Sequence, residues 1–348
     1  GAERGPLLAG LGSCALAVVL GNVASLPWVI ENLRKAGEAS VHSSTPLFGG
    51  LREIAVGTVS TLATHGAQFP QFDYFGLTRV IPNTINEFPF FSFLYGDLHP
   101  HVIDYTLTTL ALGVLTSLAL GGAGDLVPWR TRRVGRRALP LPDVSAPVLG
   151  CFLVASFATG VLGPSNIWDL PIYLGLVPLA VVICQWRAQG RPLWRACLEG
   201  LGWGAAVAIA GRLIFRSFYA HFVALSGGLG LPAQHTSLWP FLEVYALLFL
   251  IAATFALVEL GKWRANNLYL LVPGLVLGAI VRTVPVFLLT TLVVVLAAVV
   301  ARRRPDPSRL MVVLIMATAG ALVLGTELVF VRDPLQGGDA QRMNTVFK

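Results

Sequence analysis

Nine apolar runs punctuate this chain, at roughly 7–30, 99–121, 145–162, 170–186, 196–215, 239–260, 267–281, 285–301 and 310–330. A helix rises about 1.5 Å per residue, so about 20 such residues cross a hydrocarbon core about 30 Å thick. Within that core every backbone N–H and C=O must be satisfied inside the protein, and continuous apolar runs meet this demand as helices. The expected fold is therefore all-α: a polytopic transmembrane helix bundle of about nine spans with one long outer loop. Composition agrees, with 55% hydrophobic and only 12% charged residues, where soluble domains carry about a quarter charged.

Basic residues set the orientation. The net charge of +7 does not indicate a nucleic-acid partner, because the arginines and lysines fall in tight clusters between apolar runs. These clusters, "RTRRVGRR" (130–137), "RAQGRPLWR" (187–195), "KWRANN" (262–267) and "ARRRPDPSR" (301–309), are expected on the cytoplasmic side. An even number of crossings must then join each consecutive pair. For 267–301 this requires two short crossings or a re-entrant hairpin turning at Arg282. The scheme places all six histidines in outer loops, at 42, 65, 99, 101, 221 and 235. The four cysteines lie in or beside apolar runs with no CxxC pair, so neither a disulfide framework nor a thiolate metal site is indicated.

The chain reads as one membrane domain, an internal piece of a larger protein. An outer loop occupies 31–98, a helix bundle 99–330 and a second outer segment 331–348. Within the first loop, "LFGGLREIAVGTVSTLA" (47–63) has the spacing of an interfacial helix. The proline-punctuated aromatics beyond it suggest a packed re-entrant segment.

Chemistry gathers at the expected outer face. "EFPFFSFLYGDLHPHV" (87–102) brings Asp97, His99 and His101 to the start of the second apolar run. Asp97 and His99 can cap that helix, with Pro100 in its first turn. Alternatively they are an acid–base pair, or with His101 the ligands of a divalent metal, and Glu87 and Asp104 are close enough in sequence to join. In "NIWDLP", Asn166, Trp168 and Asp169 offer an amide, a flat apolar face and a carboxylate, a combination that holds sugar rings. Arg212, Arg216 and Arg282 lie near the outer ends of apolar runs, with Glu243 and Glu327 as candidate partners; charge at such depth faces a cavity or an opposite charge. Arginine's planar fork also suits phosphate oxygens. Arg342 and Asn344 belong to "DAQRMNT", beyond the last run.

"INEFPFFSFLYGDLHPHV", "NIWDLPIYL" and "RMNTVFK" together resemble the signature blocks of the YYY-domain membrane proteins, a polytopic family of archaea and some bacteria. The Asn-Tyr-Tyr-Tyr stretch that names that family is absent here and is expected upstream. The family is in turn similar to the GT-C superfamily of glycosyltransferases, which take sugars from polyprenyl-phosphate carriers at the extracytoplasmic face. The resemblance implies a glycosyltransferase-like protein of the prokaryotic cytoplasmic membrane. In it Asp97, His99 and Glu87 would be catalytic, and His101, Asn166, Trp168, Asp169, Arg216, Arg282, Arg342 and Asn344 would bind substrate. Arginine, or a divalent metal held by Asp97, His99 and His101, would offset the charge of the departing lipid phosphate, so the cofactor stays open, and membrane lipid bearing a sugar would be the partner. A non-catalytic subunit of a larger membrane assembly is the alternative reading, and a transporter of lipid-linked material a third.

Overall fold

A computed structural model describes residues 4–18, 22–38, 46–66, 69–73, 75–82, 84–96, 100–121, 124–126, 129–134, 137–142, 145–223, 228–261, 265–303 and 305–331. The first apolar run does not form one helix. Helix α1 is described over Arg4–Val18, and α2 (Ser25–Glu38) begins after a turn at Asn22. The buried Asn22 donates its amide to the Leu77 carbonyl and accepts the Ala24 N–H, each at 2.9 Å. That anchor ties the turn to the segment around Leu77. Helix α2 is amphipathic and carries Glu31, Arg34, Lys35 and Glu38, so it cannot serve as the second half of a span.

Two further helices form among the described residues of the long loop at 31–98. Helix α3 (Pro46–Ala63) covers the expected interfacial segment and pairs with α2 as a helical hairpin. Gly37 and Gly57 make the pairing close: a Cβ on Gly37 would lie 2.8 Å from the Gly57 nitrogen. Arg34 reaches across to Glu53 at 3.4 Å. Beyond a single 3-10 turn at Gly76–Thr78, α4 (Pro89–Tyr95) begins with proline in its first turn, and its C-cap Gly96 takes a left-handed φ of 68°. Phe88 and Phe91 are buried with Ala24 and Leu77, and Trp28 and Phe72 pack on that small core.

The bundle proper begins with α5 (Pro100–Ala119). The basic stretch after it is an antiparallel hairpin, β1 (Trp129–Val134) against β2 (Arg137–Pro142). Then come α6 (Ala146–Gly160), the short α7 (Leu162–Ser165), and α8 (Leu170–Ile183), which runs into a π-helical turn at Cys184–Ala188. Next are α9 (Leu193–Ile214), α10 (Arg216–His221), β3 (Leu229–Gly230) and α11 (Leu238–Leu260). After a 3-10 stretch at Ala265–Leu271 come α12 (Val272–Val281), α13 (Val284–Arg303), α14 (Pro307–Leu328) and β4 (Phe330–Val331), which pairs with β3.

Among the described residues seven helical stretches are long and apolar enough to cross a membrane, and two shorter apolar ones, Gly5–Val18 and Asn266–Val281, complete the nine runs. The fold is an all-α polytopic helix bundle. The expected hairpin at 267–301 forms: α12 packs on α13, and Arg282 makes the turn with a left-handed φ of 60°. Two apolar cores result. One gathers α5, α6, α8 and α9, the other α11 and α13, and α14 supplies Leu310 and Met311 to the first and Val313 to the second.

Polar contacts divide between the two ends of this bundle. One end holds Arg191 between Asp125 and Glu199, with the buried Gln185 donating to both carboxylates. Arg187 donates to the Pro305 carbonyl there, and Arg309 meets Glu259 at 3.2 Å. The other end carries the starts of α5, α8 and α11 and the ends of α6, α9 and α14. It is the end that sequence parity assigns to the outer face.

Candidate functional site

Three of these helix ends meet around Asp104. It sits one turn into α5 and is 2% exposed. The Ser165 hydroxyl, at the end of α7, donates to its Oδ1 at 2.8 Å. Immediately beyond, Asn166 donates its side-chain amide to Asp169 at 2.9 Å, and the Asp169 N–H returns to the Asn166 carbonyl at 3.0 Å. Asp169 precedes α8, yet its side chain makes no capping bond. Its carboxylate is turned to Asn166, which removes the plain N-cap explanation for that residue.

Two tyrosines line the same place. The Tyr105 ring lies 5.9 Å from that of Phe93 in α4 and within electrostatic reach of Glu87 and Asp169. Tyr173, one turn into α8, lies within electrostatic reach of both Asp169 and Asp104. The structure thus brings together Glu87, Asn166 and Asp169 from the sequence-expected set, and Asp104 with them. Tyr105, Tyr173 and Ser165 were missed. Their signal was helical spacing: Tyr105 follows Asp104, and Tyr173 lies four residues after Asp169. Trp168, half-buried, stands in the same turn.

A close glycine crossing brings one arginine to this turn. A Cβ on Gly160 of α6 would lie 2.8 Å from the Gly211 Cα of α9, so the two backbones touch. Arg212 follows Gly211, and its guanidinium lies 4.8 Å from the centre of the Tyr219 ring. The Tyr219 hydroxyl in turn abuts Gly163 of α7. Burial raises the Tyr219 phenol above its ordinary range, and the Arg212 charge opposes that rise. Arg216, in the first turn of α10, is exposed.

The expected arginine–glutamate pairs do not form among the described residues. Glu327, 2% exposed on α14, accepts the Thr236 N–H at 2.9 Å and the Thr236 hydroxyl, with His235 Nδ1 3.7 Å away. Thr283 donates to the Thr236 carbonyl at 2.8 Å. Thr236 thus serves both carboxylate oxygens, through its backbone N–H and its hydroxyl. Arg282, beside this clasp, is exposed, and Glu243 is half-buried on α11.

The chain from residue 2 to 348 matches the model of the family described as "Uncharacterized membrane protein (DUF2298)". The chain belongs to this family. Membership agrees with the resemblance carried by the three sequence blocks, and with the seven helices of spanning length it makes this an integral membrane protein. No curated protein and no solved structure matches the chain.

Of the expected site, Asp97, His99, Arg342 and Asn344 lie outside the described residues, as does the side chain of His101. Among the described residues no three His, Cys, Asp or Glu side chains converge as a metal site. The metal set Asp97, His99 and His101 falls outside that statement.

Proposed function

We propose that this protein transfers a sugar from a polyprenyl-phosphate carrier to a hydroxyl acceptor at the extracytoplasmic face of a prokaryotic membrane. The observation that supports this most is the gathering of Asp104, Asp169, Asn166 and two tyrosines at the ends of membrane-crossing helices. A carboxylate in this cluster, or Asp97 beside it in sequence, takes the proton of the acceptor hydroxyl. The acceptor oxygen bonds to the anomeric carbon as the bond from that carbon to the phosphate oxygen breaks. The lipid phosphate leaves with the electron pair, and an arginine such as Arg212 or Arg216 offsets its charge. Aromatic faces and amides hold the ring.

A second reading, a non-catalytic subunit, draws on the same bonds. Ser165 serves Asp104 and Asn166 serves Asp169, as in a purely structural network. The deciding experiment reconstitutes the full-length protein with radiolabelled polyprenyl-phosphate hexoses and assays transfer to water-soluble and lipid acceptors. Transfer that disappears in Asp104→Asn or Asp97→Asn at unchanged folded yield supports the enzyme. Absence of transfer, or transfer indifferent to both substitutions, rejects this site.

A further inference from the structure

Helix α4 buries one side and leaves the other bare. Phe88, Phe91 and Ser92 are buried, whereas Phe93, Leu94 and Tyr95 are 51%, 53% and 55% exposed. A fully packed aromatic segment is the expectation from sequence; the last three residues of this run depart from it. The Tyr95 ring stacks on Phe91 with centroids 5.7 Å apart and an interplanar angle of 23°, so one of its faces is covered.

The surroundings of this ledge identify what covers the rest. After Gly96 the chain has only four residues to reach Pro100, a span of at most about 14 Å. The membrane-crossing part of α5 starts at Val102. Helix α4 also packs against α1, itself apolar, and against α5. Phe93 lies 5.9 Å from Tyr105, centroid to centroid, inside α5. Three consecutive exposed apolar side chains, two of them aromatic, are costly in bulk water and favoured at the water–lipid boundary.

We infer that Phe93, Leu94 and Tyr95 are seated in the headgroup and upper acyl layer of the bilayer, with α4 as an interfacial anchor. The occupant of the ledge is lipid. The anchor fixes the depth of the first turn of α5, so Asp104 stands near headgroup level. This inference rests on the membrane character of the chain and not on sugar transfer.

The test uses the full-length protein in phosphatidylethanolamine–phosphatidylglycerol nanodiscs, with native cysteines replaced and a nitroxide at Leu94→Cys. Asp73→Cys in the outer segment and Leu153→Cys on the exposed side of α6 are the references. The label at 94 should be more accessible to oxygen than to a water-soluble nickel chelate, as at 153, with the opposite order at 73. Chelate access at 94 matching that at 73 overturns the inference. So does spin–spin broadening that vanishes on dilution with unlabelled protein, which would make the occupant a second copy. If the cysteine-free protein does not fold, a diazirine-bearing lipid on the unmodified protein replaces the nitroxide. Photolabelling of the 89–96 peptide supports the anchor, and labelling there only by a water-soluble diazirine overturns it.

Discussion

The Ser165 hydroxyl and the Asp104 carboxylate, 61 residues apart in sequence, meet at 2.8 Å where α7 closes against the start of α5. Neither helix end can move without breaking a bond to a buried charge. Substitutions of the two therefore distinguish a structural role from the chemical one proposed for Asp104.

Ser165→Ala should lower stability by about 1.5–3 kcal/mol, the range for a hydrogen bond to a charged group. Asp104→Asn keeps an acceptor for Ser165 and should fold nearly as well, while losing the proton-accepting carboxylate. Thermal unfolding in nanodiscs, read beside transfer activity, checks both. If Asp104→Asn unfolds as readily as Ser165→Ala and activity only tracks the folded fraction, the acid is structural.

The α6–α9 crossing gives a packing test. Gly160→Val would force a branched side chain into the Gly211 backbone, 2.8 Å from where its Cβ must go. Overpacking of this kind costs about 1–3 kcal/mol or more, and little there can yield because the obstacle is backbone. A variant that loses heat stability, and with it the Arg212–Tyr219 contact monitored by Tyr219→Phe additivity, is expected. Unchanged stability would mean that the two helices stand farther apart.

Much of this architecture was legible in the chain. Apolar runs named the helices because backbone satisfaction in lipid leaves few alternatives, and the expected turn at Arg282 forms between α12 and α13. The break at Asn22 was not legible, since it depends on a carbonyl 55 residues away. Nor was the β1–β2 hairpin, where the charges of 130–137 masked a strand pairing whose prolines, 140 and 142, suit an edge strand. At the site, "NIWD" and Asp104 could be named, but their meeting could not, because the Ser165–Asp104 bond is tertiary. The Glu327 partnership was misjudged for a related reason. Charge complementarity suggested arginine, whereas proximity supplied Thr236.

At the opposite end, Arg191 bridges Asp125 and Glu199. Arg191→Met should cost about 1–3 kcal/mol, less than the about 3–5 of a fully buried pair because Asp125 keeps contact with solvent. The double variant Arg191→Met with Glu199→Gln should recover part of the loss, since it removes one stranded charge. Urea or thermal unfolding of the three proteins measures the coupling, and strict additivity would show that the bridge contributes nothing.

Acid should weaken the start of α14. Asp306 caps that helix, accepting the Arg309 N–H at 3.1 Å, and this bond holds its carboxyl below the ordinary range. A lowered folded value means that the stabilisation is complete above the unfolded pKa and fades as pH falls through the folded one. Asp306→Ala should cost about 1 kcal/mol at neutral pH, a usual N-cap loss. The difference from the parent should shrink below the ordinary carboxylate range. A difference that stays constant down to strongly acidic pH would show that the carboxylate charge is irrelevant to the cap.

The orientation of the whole bundle is the widest-reaching prediction. Asp104, Ser165, Arg212, Thr236, Thr283 and Glu327 share one end because each lies at the end of a helix that alternates direction with its neighbour. Their side of the membrane depends on the arginines at the opposite end, which the positive-inside rule assigns to the cytoplasm. Cysteines at positions 65, 235, 282 and 341 should therefore react with a membrane-impermeant maleimide in intact cells. Cysteines at 133 and 303 should react only after permeabilisation. Position 282 is the most informative, because its turn lies between two basic flanks and reaches the outer face only if α12 and α13 together cross or penetrate the membrane. Labelling of 133 from outside would invert the bundle, place the Asp104 cluster in the cytoplasm and remove the basis for extracytoplasmic transfer.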